Sequence, residues 1–418
     1  MTTISRRELA GLTAGAVAAG VAAPAPTLAA PLDTPAGDAV RARLRALIGH
    51  TAVGAVVSVR GRHGALDAAA GRQSVSGAAA TITCRGRVSS ITKMLVTTAV
   101  MLQIQKRTWT LQTTIDDVLP GLWPGRGRVT LRQLLSHTSG MPDALDVITP
   151  GNNMYEQSPA ALEEACSRQY TDAQLVRIAR GMTWRFTPGE GYSYSNTGFV
   201  VVGMMLEKVT GKRLENLLRT QVFRRTGMGQ TSLERGFSVP SPQLSDYIVE
   251  PEGRYRLERV NLSTFSGAGA VMATSADVTD FMYNLFRGNI ISQYLVDKMC
   301  TPYGAAKEYS YGLGLRVVPD DVAGTGNLYG HTGAGWGSVA HALSTRDGRR
   351  RMAYVATGRP YWWGGKGTMD LNREALRKAA LRATSHTSAR TSASGGGLDP
   401  VVVRGAARYD AEVAPFFG

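Results

Sequence analysis

Two spacings of apolar residues alternate along this chain, and their order predicts its architecture. Across residues 38–48 the apolar positions Val40, Leu44, Leu47 and Ile48 recur at helical spacing, which predicts an N-terminal helix. Residues 53–59 are valine-rich and predict a strand, with a glycine turn at 61–64 and a return strand over 65–70. From Ser90 the period becomes helical through Met94, Leu95, Val96, Val100, Met101, Leu102 and Ile104, ending near Lys106 and Arg107. A short helix capped by Thr130 is expected over 129–135, and longer ones over 172–180, 199–209, 213–222 and 275–286. Residues 116–121 read as a turn and 140–159 as a loop.

Strand patterns return late, over 312–318, 328–331, 338–343 and 352–357, and a terminal helix is expected over 370–383. An early hairpin, a helical middle and late strands imply that the two ends of the chain build one sheet while the middle forms a helical layer. The expected fold class is therefore mixed α/β (α+β): an antiparallel sheet flanked by helices, with an all-helical lobe over roughly 90–300, in a catalytic domain spanning 31–383. Residues 384–418 are Ser/Thr/Gly-rich at their start and read as a flexible tail.

The first thirty residues fit targeting better than folding. Ser5-Arg6-Arg7-Glu8-Leu9 precedes a soft Ala/Gly stretch and a small-residue exit at Leu28-Ala29-Ala30, which resembles a twin-arginine export signal. No later segment is apolar for the roughly 18 residues that span a bilayer, so a secreted, extracytoplasmic protein without an integral membrane segment is expected. The net charge of +15 is scattered, and its tightest run, Arg349-Arg350-Arg351, falls where a hairpin turn is expected. That distribution argues against nucleic-acid binding and fits anionic surroundings such as cell-wall polymers. Cys84, Cys166 and Cys300 lie in no metal-ligand spacing, and the six histidines are dispersed, so neither a metal nor another cofactor is expected; one disulfide is possible in an oxidising compartment.

Three short runs carry the candidate chemistry. In Ser90-Ile91-Thr92-Lys93 the serine and lysine are three residues apart on one helical face, so Lys93 can reach Ser90 Oγ and serve as base or cation. In Tyr194-Ser195-Asn196 the phenol can relay a proton if cationic neighbours lower its pKa from about 10, and Asn196 can bond both a substrate carbonyl and Lys93. In His331-Thr332-Gly333 a strand edge with a glycine lets a substrate backbone approach, His331 offers a polar and potentially cationic wall, and the Ala334 N–H can form an oxyanion hole with that of Ser90. Each has an ordinary alternative: a capping serine followed by a solvated lysine, a packed tyrosine with Asn196 capping the next helix, and a buried histidine whose bonds are merely satisfied.

Taken in order, S-x-x-K, Tyr-x-Asn and His-Thr-Gly resemble the penicillin-binding protein and serine β-lactamase superfamily. The runs Leu134-Leu135-Ser136-His137-Thr138-Ser139-Gly140 and Tyr311-Gly312-Leu313-Gly314-Leu315 add to the likeness, which covers roughly 39–383. Tyr-Ser-Asn and His-Thr-Gly are most similar to the branch holding class C β-lactamases, esterases and the secreted actinomycete D-alanyl-D-alanine carboxypeptidases. The resemblance implies acylation of Ser90, proton transfer shared by Lys93 and Tyr194, an Asn196 contact to the acyl amide, and an oxyanion hole from Ser90 and Ala334. It further implies that His331, Thr332 and Gly333 orient the substrate and that Arg316 pairs with a terminal carboxylate, for which its planar fork is suited; a surface arginine on an edge strand is the plainer reading.

The resemblance is imperfect at Ala334, where the carboxypeptidases carry a hydroxyl-bearing threonine. The sequence after Gly140, Met141-Pro142-Asp143-Ala144-Leu145-Asp146, also lacks the expected Tyr/Thr character. Trp336, Trp362 and Trp363 are candidates to line a substrate pocket or to pack internally. The implied function is D-alanyl-D-alanine carboxypeptidase-like hydrolysis of a small-molecule, peptide or β-lactam substrate. The alternatives are an esterase, an amidase or a transacylase moving an acyl group to an amine, or a β-lactamase.

Overall fold

A computed structural model describes residues 31–48, 52–62, 64–149, 158–250, 253–360 and 368–385. The expected export signal over 1–30, Trp362 and Trp363, and the expected tail beyond Ser385 lie outside the described residues.

The two chain ends do build one sheet. Six antiparallel strands run in the spatial order Gly64–Gly71, Gly54–Gly61, Arg351–Thr357, Ser338–Thr345, Asn327–Ala334 and Arg316–Pro319. Strand alternation sends its side chains into two different cores. From the Arg351–Thr357 strand, Met352, Tyr354 and Ala356 join Val40, Leu44 and Leu47 of the Pro35–Leu47 helix and Leu376 and Leu381 of the Thr368–Thr384 helix. Its neighbours Ala353 and Val355 point the other way, into the core of the helical lobe. The terminal helix runs Thr368–Thr384, and Thr384 is buried.

At the centre of the lobe is the helix Thr92–Gln105, in which every residue from Thr92 to Gln103 is buried. Such a helix is apolar on all sides rather than amphipathic. It packs against Asn196–Thr210, whose N-cap is Ser195 and whose C-cap is Gly211 at φ 64°, the left-handed conformation that favours glycine. Asp172–Arg180 and Ser275–Phe286 form at the expected bounds, capped by Thr171 and Thr274.

Local chemistry accounts for the departures from expectation. Residues 115–118 are helical rather than a turn because Thr114 and Asp117 form a reciprocal capping box. Helices at Leu145–Ile148, Pro159–Ser167 and Gln293–Cys300 were not anticipated. The strand expected from 312 begins only at Arg316, because Gly314 takes φ 69° and its N–H donates to the Leu135 carbonyl. All three cysteines are free, so the possible disulfide is absent. No helix among the described residues is long and apolar enough to cross a membrane.

One small sheet sets the position of Ser90. Gly86–Arg87 pairs antiparallel with Val271–Ala273, which also pairs with Ser232–Leu233. Arg87 is anchored there by a buried ion pair with Asp246, only three residues before Ser90. Removing one partner of a buried pair strands the other charge. Asp246→Ala is therefore expected to lower stability by about 3–5 kcal/mol, read as a lower urea midpoint at unchanged slope.

Candidate active site

Ser90 sits in a single turn of 3-10 helix, Ser89–Ile91, that leads directly into the Thr92–Gln105 helix. Ser89 adopts φ 48°, a left-handed conformation that costs a non-glycine residue on the order of 1–2 kcal/mol. The tight turn leaves Ser90 partly exposed while Ser89 and Ile91 are buried. Gly333 packs onto this turn: a Cβ there would lie 2.2 Å from the Val88 carbonyl oxygen. That closeness corrects the reading of Gly333 as a gap left for substrate, since the missing side chain makes room for the chain carrying the serine.

Lys93, one turn on, is completely buried. Its Nζ donates to Ser90 Oγ at 3.1 Å, Asn196 Oδ1 at 2.7 Å and the Ala268 carbonyl at 3.0 Å, and lies 4.7 Å from the centroid of the Tyr194 ring. The solvated-lysine alternative is thereby excluded. Burial lowers its pKa to about 7; the Asp143 carboxylate opposes that shift and the Arg316 guanidinium adds to it.

Tyr194 is held over Lys93 by stacking on His137, with ring centroids 4.1 Å apart. Burial raises its phenol pKa, against smaller opposing effects of a hydrogen bond with Ser90 and the Arg316 charge, so the phenol is not lowered by its cationic neighbours. His137 itself adopts φ 58° and accepts the Ser195 N–H on Nδ1 at 3.2 Å, which makes the Tyr-Ser-Asn run rest on the Ser-His-Thr-Ser run. Asn196 is the first residue of its helix, and Ser195 is the cap.

His331 lies in the Asn327–Ala334 strand, with Nε2 2.9 Å from the Tyr311 hydroxyl and Nδ1 bonded to the Thr332 carbonyl. Burial, then Arg316 and Lys93, push its pKa well below the usual histidine range, so the wall it provides is neutral rather than cationic. Thr332 and Ala334 are half-buried on the same strand, and Ala334 pairs with Val339. Arg316 pairs with Gly330 on the neighbouring strand, is buried rather than at the surface, and has its guanidinium 5.7 Å from the Tyr311 ring.

Trp336 does not line a pocket. It is fully buried, its ring 5.7 Å from that of Phe265, and it belongs to the core of the lobe. The sequence reading in turn assigned no role to Asp143, whose carboxylate accepts both the backbone N–H and Nδ2 of Asn196 at 2.8 Å. The available signal is the acid itself, Asp143, two residues before the apolar Leu145. Among the described residues no cluster of His, Cys, Asp and Glu is arranged to hold a metal ion.

Comparison with known proteins shows the family. The Beta-lactamase family profile matches residues 39–373. Penicillin-binding protein 4* of Bacillus subtilis is 25% identical over 286 residues, 64% of this chain and 60% of that protein. A D-aminopeptidase of Cereibacter sphaeroides is 29% identical over 231 residues, 54% of this chain and 42% of that protein. The chain thus spans less than two thirds of the length of these curated relatives. The solved D-stereospecific amidohydrolase from a Streptomyces species superposes with a TM-score of 0.69 at 26% identity, covering 84% of this chain and 99% of that one. The match along most of its length shows that this chain belongs to the beta-lactamase family and is an enzyme of the serine-hydrolase and acyltransferase type within the penicillin-binding protein superfamily.

Proposed function

We propose that the protein cleaves amide or peptide bonds beside a D-amino acid through a covalent acyl-enzyme on Ser90. Hydrolysis like that of a D-alanyl-D-alanine carboxypeptidase is the narrower form of this reading. The observation that carries the proposal is Lys93, buried, 3.1 Å from Ser90 Oγ and with a pKa near 7, so that about half of it is neutral at neutral pH.

In the acylation step neutral Lys93 takes the Ser90 proton while Oγ bonds to the substrate carbonyl carbon. The oxyanion forms between the backbone N–H groups of Ser90 and Ala334. Collapse expels the amine, which takes up a proton passed from Lys93 through Tyr194; the phenol, held neutral by burial, is a donor rather than a resting base. Water then attacks the acyl carbon, the bond from that carbon to Ser90 Oγ breaks, the carboxylic acid leaves, and the proton from the water returns to Oγ by way of Lys93. Neutral His331, fixed by Tyr311, orients the bound backbone together with Thr332.

The D-configured substrate is supported by the names of two relatives, a D-aminopeptidase and a D-stereospecific amidohydrolase. Arg316 favours a carboxylate-bearing substrate and so the narrower reading, while Ala334, with no hydroxyl, favours the broader one. The twin-arginine start supports export, with the reaction outside the cytoplasm.

Three measurements test this. Incubation with a labelled penicillin is expected to add one acyl group at Ser90 by intact mass, and to add none to Ser90→Ala. D-amino-acid amides and a diacyl-Lys-D-Ala-D-Ala peptide are expected to turn over and their L-isomers not to; turnover of aryl esters alone, or only with an added amine, would replace the proposal with the esterase or transacylase reading. The acylation rate is expected to fall as pH drops through about 7, because Lys93 is then protonated, and Lys93→Ala is expected to lose about 100-fold or more in kcat/KM.

A further inference from the structure

Asp143 lies buried in the loop between the Leu131–Leu135 and Leu145–Ile148 helices, joined to Lys93 through Asn196. Its Oδ2 accepts the Asn196 backbone N–H and Nδ2, each at 2.8 Å, and its Oδ1 accepts the Leu145 N–H at 3.1 Å and the Thr197 hydroxyl at 3.4 Å. Burial raises the Asp143 pKa, while the bonds donated by Asn196 and Leu145 oppose that shift and favour the ionised carboxylate.

That arrangement decides which way the Asn196 amide faces. An amide side chain has a donor end and an acceptor end. With Nδ2 held by a group that only accepts, Oδ1 must face Lys93, 2.7 Å away. The second fixed partner of Lys93 is the Ala268 carbonyl, also an acceptor, at 3.0 Å. A neutral amine has two hydrogens and one lone pair. Both hydrogens are used by Asn196 and Ala268, and the remaining direction is that of Ser90 Oγ, 3.1 Å from Nζ.

We propose that Asp143 is a positioning residue for the general base: by fixing the orientation of the Asn196 amide, it aims the Lys93 lone pair at Ser90 Oγ. The inference rests on the acyl-enzyme reading given above. In the step concerned the Ser90 O–H bond breaks, its proton forms a new N–H bond on Lys93, and the oxygen electron pair bonds to the acyl carbon. Were the amide reversed, Nδ2 would direct a hydrogen at Nζ, the lone pair would be drawn to it, and Ser90 would lose its proton acceptor.

The carboxylate also acts through its charge. Facing Lys93 are Asp143, Arg316 from the edge strand, the Tyr194 phenol, and His137 and His331, both held neutral by burial. Facing Asp143 is a second acid, Asp146. Asp143 favours protonated Lys93 and Arg316 disfavours it, so removing the acid must lower the lysine pKa and move the acid limb of acylation to lower pH.

The test compares Asp143→Asn and Asp143→Glu with the unaltered protein, using the p-nitrophenolate burst from an N-acyl-D-alanine p-nitrophenyl ester, with rates expressed per titratable Ser90. Asp143→Asn is expected to slow acylation by about 10–100-fold, with KM changed less than about twofold, and to shift the acid limb downward. Asp143→Glu keeps the charge but displaces the carboxylate, and is expected to slow acylation while leaving the limb in place. Wild-type rate and limb in folded Asp143→Asn would overturn the proposal and leave Asp143 a purely structural residue. If circular dichroism shows that Asp143→Asn does not fold, an undiminished rate in Asp143→Glu overturns it instead. Absence of any Ser90 adduct in the unaltered protein sinks the acyl-enzyme reading itself, whereas an adduct there with unaffected variants sinks only the role of Asp143.

Discussion

The arrangement of this protein around its site follows from placing a lysine where water does not reach. Taking an ammonium out of water costs several kcal/mol unless the protein supplies replacement partners. Lys93 finds three, and they come from different stretches of chain: Ser90 from the 3-10 turn that leads into its helix, Asn196 from the start of the Asn196–Thr210 helix, and the Ala268 carbonyl from the short Ser266–Gly269 helix. These segments must converge within about 3 Å of one nitrogen, so the packing of the helical lobe and the geometry of the site are one constraint.

The sheet meets the same point from the other side. Gly333 admits the Val88 carbonyl, Gly86–Arg87 ties the approach to Ser90 into a second small sheet, and the Arg87–Asp246 ion pair anchors that approach in the interior. Rigid elements on both sides hold the serine in a strained turn, the preorganisation that a nucleophile and its base require. Neither lobe alone supplies it.

Most of this was legible in the sequence where periodicity or motif order carries information. The six-stranded sheet built from both chain ends, the buried nucleophile helix, and the Ser90, Lys93 and Asn196 constellation follow from patterns long enough to have a period or specific enough to have an order. What was missed has a common physical cause: it depends on direction, which a residue's identity does not encode. Trp336 points into the core against Phe265, Gly333 faces Val88, and Asp143 turns inward to Asn196. The strands of two or three residues beside Ser90 are too short to show a period of two. The condition set for Tyr194, a phenol lowered by cationic neighbours, is not met, because burial outweighs them.

That outcome has a wider consequence for how protons move through the site. Low-dielectric surroundings disfavour every charged form, raising acids and lowering bases. His137 and His331 are thereby kept neutral across the ordinary pH range, and Tyr311 and Tyr194 keep their protons. The same force acting on lysine begins from 10.5 and brings it to about 7, where both forms are populated. Burial thus moves the tyrosines, already protonated at neutrality, further from titration and the histidines below it, and brings only the lysine, a base that starts well above neutrality, into range. Burial is the larger influence on Lys93, and the charges of Asp143, which opposes it, and Arg316, which adds to it, adjust where the lysine comes to rest.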